Sequence, residues 1–175
     1  MKLNLKIHKA TENNVSDILK IREEGWLSGY TDLDKEAIKN YYKKQREIKK
    51  IENMKKYFSS DNHNCYLAEY QGQNIGLFWF EDNGRKSNDT CYIYGFYVLP
   101  QFQGQGVGTA LWKFGMERMK EKGYTKCSLI TTSKNEKSKK FYHAHNGVIS
   151  KEYIEQMIDE DDQSKILVDE FTFNI

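Results

Sequence analysis

The spacing best suited to chemistry in this chain is Gln103-Gly104-Gln105-Gly106-Val107-Gly108. It follows a β-rich run, Thr90 to Leu99, and opens a helix whose apolar positions are Val107, Ala110, Leu111 and Phe114. Pro100, the single proline, divides the two because it cannot donate to a sheet ladder. Glycines let backbone approach a ligand, and a helix start offers unpaired N–H groups at the positive end of a dipole. The chemistry is anion binding, and a phosphate fits it. Two familiar phosphate motifs do not match. A dinucleotide fingerprint needs G-x-G-x-x-G early in a βαβ unit, whereas Gly104, Gly106 and Gly108 lie deep in the chain. A P-loop needs Gly-Lys-Ser/Thr, and Thr109 follows Gly108 directly. Taken alone, the turn also fits a glycine-rich helix cap that holds nothing.

Gln103-x-x-Gly106-x-Gly108, led in by Phe96 to Pro100, resembles the coenzyme A pyrophosphate loop of the GNAT acetyltransferase superfamily, Q/R-x-x-G-x-G/A. A second segment, Asn135-Glu136-Lys137-Ser138-Lys139-Lys140-Phe141-Tyr142 and then Gly147, resembles the family's N-x-x-A/S-x-x-F-Y-x-x-x-G. It falls one helix and one strand downstream, as the family has it. The resemblance covers Cys65 to Gly147 and reaches the flanks by pattern only.

The resemblance implies an α/β (α+β) fold, a GNAT-like mixed, mostly antiparallel sheet flanked by helices on both faces, in a single domain over residues 1–175. It implies direct transfer of an acetyl group from acetyl-CoA to a primary amine of a small molecule or peptide. Backbone near Phe96 and Val98 would pair with the pantetheine arm, in a gap between the strand before the glycine turn and the strand after its helix. Backbone N–H groups of Gln103, Gly104, Gln105, Gly106, Val107, Gly108 and Thr109 would hold the pyrophosphate. Asn135 would hydrogen-bond the cofactor arm, with Ser138 on the same helix face. Tyr142 would stand at the thioester sulfur as general acid, since a phenol of pKa near 10 suits donation to a thiolate. From residues alone, Tyr142 is also a packed aromatic beside Phe141. A catalytically silent acyl-CoA-binding or interaction domain is the alternative class, and the intact Gln103, Asn135 and Tyr142 favour the enzyme.

A base is harder to name. Some family members carry a Glu on the strand before the turn, but Cys91 to Leu99 contains no carboxylate. Water leading to Tyr92 or Tyr94 could relay the proton, and Glu81 on the adjoining strand reads better as a solvent-facing strand end. His143 and His145 lie two apart, on different sides of a helix, with no third ligand near, so no metal site is expected.

The remaining sequence describes what must position these groups. At 175 residues one core is expected, and aromatics at 14% offset a modest hydrophobic content of 38%. A net charge of +2 gives no reason to expect nucleic acid or membrane as partner. The cysteines, Cys65, Cys91 and Cys127, are 26 and 36 residues apart in strand-like contexts, which suits core packing. MKLNLKIHKA alternates too strictly for a signal peptide, so the chain reads as cytoplasmic. Homodimers are common among proteins of the family it resembles.

In order, Leu3, Leu5 and Ile7 read as a strand, and Thr11 caps a helix running to about Glu24. Gly25-Trp26-Leu27-Ser28-Gly29-Tyr30 is expected to break that helix, with Trp26 and Tyr30 as pocket wall or core. Asp34 to Phe58 reads as helix with a bend, burying Ile38, Tyr41, Tyr42, Ile48, Ile51 and Met54. Cys65 to Tyr70 and Ile75 to Glu81 form a hairpin about Gln71-Gly72-Gln73-Asn74, and a looser turn from Asp82 to Asp89 leads to the next strand. In that strand Tyr92, Tyr94, Phe96 and Val98 are expected on one face. Lys126 to Thr131 is a strand, Asn135 to His145 a helix, and Ile149 to Met157 with Ile166 to Phe173 a closing antiparallel pair. Asp159, Glu160, Asp161 and Asp162 make an acidic loop between them. Such a loop could concentrate a cationic amine, or complement the basic stretch from Lys35 to Tyr57 as a solvated turn.

Overall fold

The computed structural model describes residues 3–82, 89–158 and 164–175. The turn expected before the fourth strand and the acidic loop at 159–162 lie outside them. Seven strands form one sheet: β1 (Lys6–Lys9), β2 (Asn64–Tyr70), β3 (Gln73–Asp82), β4 (Thr90–Val98), β5 (Lys126–Thr132), β6 (Val148–Gln156) and β7 (Lys165–Asn174). Their order is β1-β2-β3-β4-β5-β7-β6, and every pairing is antiparallel except β4 with β5. The β2–β3 turn closes on two residues, Gln71 at φ 49° and Gly72 at φ 78°, whose positive angles match the twist of the flanking strands.

The helices are α1 (Val15–Gly29), α2 (Lys35–Gln45), α3 (Ile48–Phe58), α4 (Val107–Glu121) and α5 (Glu136–Ala144). On one face α1 lies over β3 and β4, with α2 and α3 packed against it. On the other face α4 covers β3 and β4, and Tyr142 of α5 meets Phe171 and Phe173 of β7. The mixed sheet with helices on both faces is as expected. Asp34 caps α2 by accepting from the Glu36 and Ala37 N–H groups, and a break at Arg46 supplies the expected bend. Ile48 is 79% exposed rather than buried, because it opens α3 at that break.

Two local expectations fail for tertiary reasons. The first helix does not stop at Glu24 but runs through Gly25 and Trp26 to Gly29. Gly25 is there because α1 lies directly on β4: a Cβ at that position would sit 2.5 Å from Tyr97 Cδ1. Gly25→Ala gains helix propensity yet overpacks the contact, so a net destabilisation of about 1–3 kcal/mol is expected in chemical denaturation. A variant as stable as the parent would show that Tyr97 can yield.

The second concerns β4. Its pairing with β3 skips Tyr94, since Trp79 opposes Gly95 and Phe80 opposes Ile93. This bulge shifts the side-chain period by one residue. Ile93 therefore shares the α4 face with Phe96 and Val98, while Tyr92 and Tyr97 face α1. Tyr94, at the bulge, is 47% exposed and packs on Trp79.

Candidate active site

β4 and β5 pair only at Thr90–Lys126, Cys91–Cys127 and Tyr92–Ser128. Beyond these pairs β5 stays with β7 to Thr132, and β4 stays with β3 to Val98. The two parallel strands therefore diverge. A cavity of about 760 Å³ occupies the divergence, lined by Ile93 to Val98 on one side and Leu129 to Thr131 on the other.

One end of the cavity is the glycine turn. Gln103, Gly104, Gly106, Gly108 and Thr109 line it. Gly104 and Gly106 adopt φ 75° and 84°, in the left-handed region where other residues are strained, and a Cβ at either would meet nothing within 4 Å. Gly106 is the N-cap of α4, no side chain caps the turn, and the first bond of the helix is Ala110 N–H to Gly106 O at 3.0 Å. The N–H groups of Val107, Gly108 and Thr109 precede that bond, so they are available to an anion. The open cradle and its free donors fit a pyrophosphate. Gln103 braces the turn by donating its Nε2 to Val98 O at 2.9 Å and accepting from Lys137. The Gln105 side chain turns away to Gln101 O, and the Val107 side chain is buried in the core, so neither lines the cavity. Only their backbone is placed to bind.

Asn135, Ser138 and Tyr142 line the middle of the cavity. The Asn135 Oδ1 caps α5 by accepting from Ser138 N–H at 3.1 Å. Tyr142 is 6% exposed and packs among Phe96, Trp112, Phe171 and Phe173. Burial, followed by the nearby Tyr97 phenol, pushes the Tyr142 pKa up, while a hydrogen bond with Ser138 eases it back. The residue is thus both a packed aromatic and a hydroxyl kept protonated at the cavity wall.

The other end was only partly foreseen. Trp26 and Tyr30 are buried and line the cavity, so they are wall and core at once. Both point at Tyr97: the Trp26 indole donates to its hydroxyl at 3.0 Å, and Tyr30 hydrogen-bonds it as well. Arg22, Tyr41, Tyr92, Tyr94 and Glu155 complete this end. Glu155 is the one carboxylate among the described lining residues, and its charge reaches Tyr92. Glu81 does not line the cavity. It is held at the strand end by Tyr57 at 2.8 Å and by the Trp79 indole at 3.1 Å. His143 and His145 bond the backbone oxygens of Gly147 and Phe141, and no group of three metal-ligating side chains occurs among the described residues. All three cysteines are buried and none forms a disulfide among the described residues, and burial pushes the Cys65 and Cys127 thiols up, away from nucleophilic use.

The model of the acetyltransferase (GNAT) family matches residues 25–147. The chain belongs to that family. The match runs from the α1 segment over Tyr97, through the glycine turn, to the end of α5. An uncharacterized N-acetyltransferase of Archaeoglobus fulgidus is 25% identical over 145 residues, covering 79% of this chain and 89% of its own. Among solved structures, the PaiA N-acetyltransferase of Thermoplasma acidophilum in complex with coenzyme A superposes with a TM-score of 0.72 at 18% identity, over 98% of this chain and 100% of its own. YncA of Salmonella typhimurium, solved with its cofactor acetyl-CoA, gives 0.66 at 16% identity, over 98% and 94%. At these identities the structural likeness shows the fold alone. No helix among the described residues is long and apolar enough to cross a membrane.

Among the residues that line this cavity, Arg22, Tyr97 and Glu155 were missed by sequence reasoning. Tyr97 was passed over because it faces away from Phe96 and Val98, as alternation requires, and nothing in the sequence shows what α1 brings to that face. Arg22 and Glu155 are single charges in polar surroundings, and no spacing in the chain connects Arg22 to Tyr94, 72 positions on, or Glu155 to Tyr92, 63 positions back.

Proposed function

We propose that residues 1–175 form one acetyltransferase domain that moves an acetyl group from acetyl-CoA to a primary amine of a small molecule or peptide. The observation that supports this most is the divergence of β4 from β5. It joins the glycine turn, Tyr142 and an aromatic acceptor end in one continuous cavity. Backbone N–H groups from Gln103 to Thr109 would hold the pyrophosphate, and the cavity-side backbone of Phe96 and Val98 would bind the arm, beside the bond that Val98 O already accepts from Gln103. Asn135 and Ser138 would border it. Bound acetyl-CoA supplies an acetyl group already activated as a thioester. Tyr142 then holds a proton at Oη for the departing sulfur, and its burial keeps that phenol protonated until the thiolate forms. Glu155, directly or through water beside Tyr92, takes the proton that the amine must lose. Three buried cysteines, none in a disulfide among the described residues, agree with a reducing, cytoplasmic setting, and pairing as a homodimer is part of the same reading.

The test is release of free thiol from acetyl-CoA by the purified protein over a panel of primary amines and peptides. At least one acceptor should give saturable turnover well above hydrolysis. Tight coenzyme A binding with no acceptor in a broad panel would favour a silent binding domain instead. Glu155→Gln is expected to lower kcat by about 10²-fold with coenzyme A affinity retained. A kcat within a few-fold of the parent would remove Glu155 from the proton path.

A further inference from the structure

At the acceptor end of the cavity Arg22 carries a positive charge that forms no ion pair with a described residue. Arg22 extends from α1 over Trp79 and Tyr94, its guanidinium carbon 5.8 and 5.2 Å from their ring centroids. Its Nε is buried without a hydrogen-bond partner, and so is the hydroxyl of neighbouring Tyr42. The acids around it are engaged elsewhere. Glu23 pairs with Arg46 at 2.6 Å, Asp17 accepts from Asn74 at 2.7 Å, and Glu81 is taken by Tyr57 and Trp79.

A cation withdrawn from water keeps a desolvation cost unless an anion meets it, and ring faces recover only part of that cost. Rings against a guanidinium face leave its edge for in-plane donors, the geometry that a carboxylate accepts in bidentate fashion. The phosphates of the cofactor are badly placed to be that anion. Arg22 sits at Tyr94, four residues before Val98 and hence about 13 Å along an extended strand, with the glycine turn farther still. Elsewhere on the wall, Glu155 offers the opposite charge, which reaches Tyr92.

We propose that the acceptor is an amino-carboxylic acid, bound with its carboxylate in the fork of Arg22, its amine on the Glu155 side and its remaining surface against Trp26, Tyr41 and Tyr94. This rests on the acetyltransferase reading of the same cavity and narrows it. A cationic acceptor drawn by residues 159–162 is the competing outcome.

Matched pairs isolate the carboxylate: L-phenylalanine against 2-phenylethylamine, and L-leucine against 3-methylbutylamine. Calorimetry on the protein with coenzyme A present should show the acid of at least one pair bound about 30-fold more tightly than its amine. The same preference should appear in kcat/KM from thiol release. Arg22→Gln should bring the ratio within about 3-fold of one, and Arg22→Lys, which keeps the charge but not the fork, should leave it intermediate. Thermal melting and coenzyme A affinity report folding, and if Arg22→Gln does not fold, Arg22→Lys carries the test. Equal binding within every pair, binding of neither member, or a preference that survives both variants would overturn the proposal. Turnover of amines, or of spermidine alone, without carboxylate preference would overturn it and leave acetyl transfer standing. Carboxylate preference in binding with no turnover of any amine would sustain the anion site and overturn acetyl transfer instead.

Discussion

Tyr142→Phe is expected to slow acetyl transfer by about 10²–10⁴-fold while leaving folding and coenzyme A binding intact. The reason lies in how the residue is divided between two tasks. Its ring fills the space among Phe96, Trp112, Phe171 and Phe173, and phenylalanine preserves that packing. Its hydroxyl faces the cavity with Ser138 and Tyr97 as neighbours, and burial keeps it protonated. Removing one oxygen deletes the proton donor and little else. Single-turnover measurement with saturating acetyl-CoA separates the chemical step from binding. A rate within a few-fold of the parent would leave Tyr142 as packing, and the departing sulfur would then take its proton from solvent or from Tyr97.

Gly106→Glu is expected to reduce coenzyme A affinity by at least about 100-fold, a loss of roughly 3 kcal/mol. Space is not the obstacle, because a Cβ there would meet nothing within 4 Å. Two other effects act. A φ of 84° at the helix N-cap strains any residue with a Cβ, and relaxing it would turn the N–H groups of α4 out of their common aim. The carboxylate also stands at the positive helix end, where it satisfies those donors and repels a phosphate. Gly106→Ala separates the two, since it carries the strain without the charge and should fall between parent and Gly106→Glu. Calorimetric titration with coenzyme A reads all three. Undiminished binding by Gly106→Glu would move the pyrophosphate site away from the turn.

The sequence by itself settled whatever short-range spacing controls. Gln103 to Gly108 after a proline-ended strand specifies a turn with free N–H groups, because positive φ at glycine and an uncapped helix start are local properties. Alternation and helical period gave the order of elements, and with the two motifs they led to the family. The sequence could not give the path of β4, because one skipped residue at Tyr94 reversed the faces downstream, and the bulge exists only as a relation between β4 and β3. Nor could it show that Gly25 lies within a helix: an isolated glycine reads as a breaker until Tyr97 is seen against its Cα. The acceptor end was the least legible part. Arg22 on α1, Tyr97 on β4 and Glu155 on β6 come from three distant segments, and only the divergence of β4 from β5 opens the space they share. Groups whose chemistry depends on burial and on neighbours far along the chain leave no local pattern, so that half of the site was decided by tertiary structure alone.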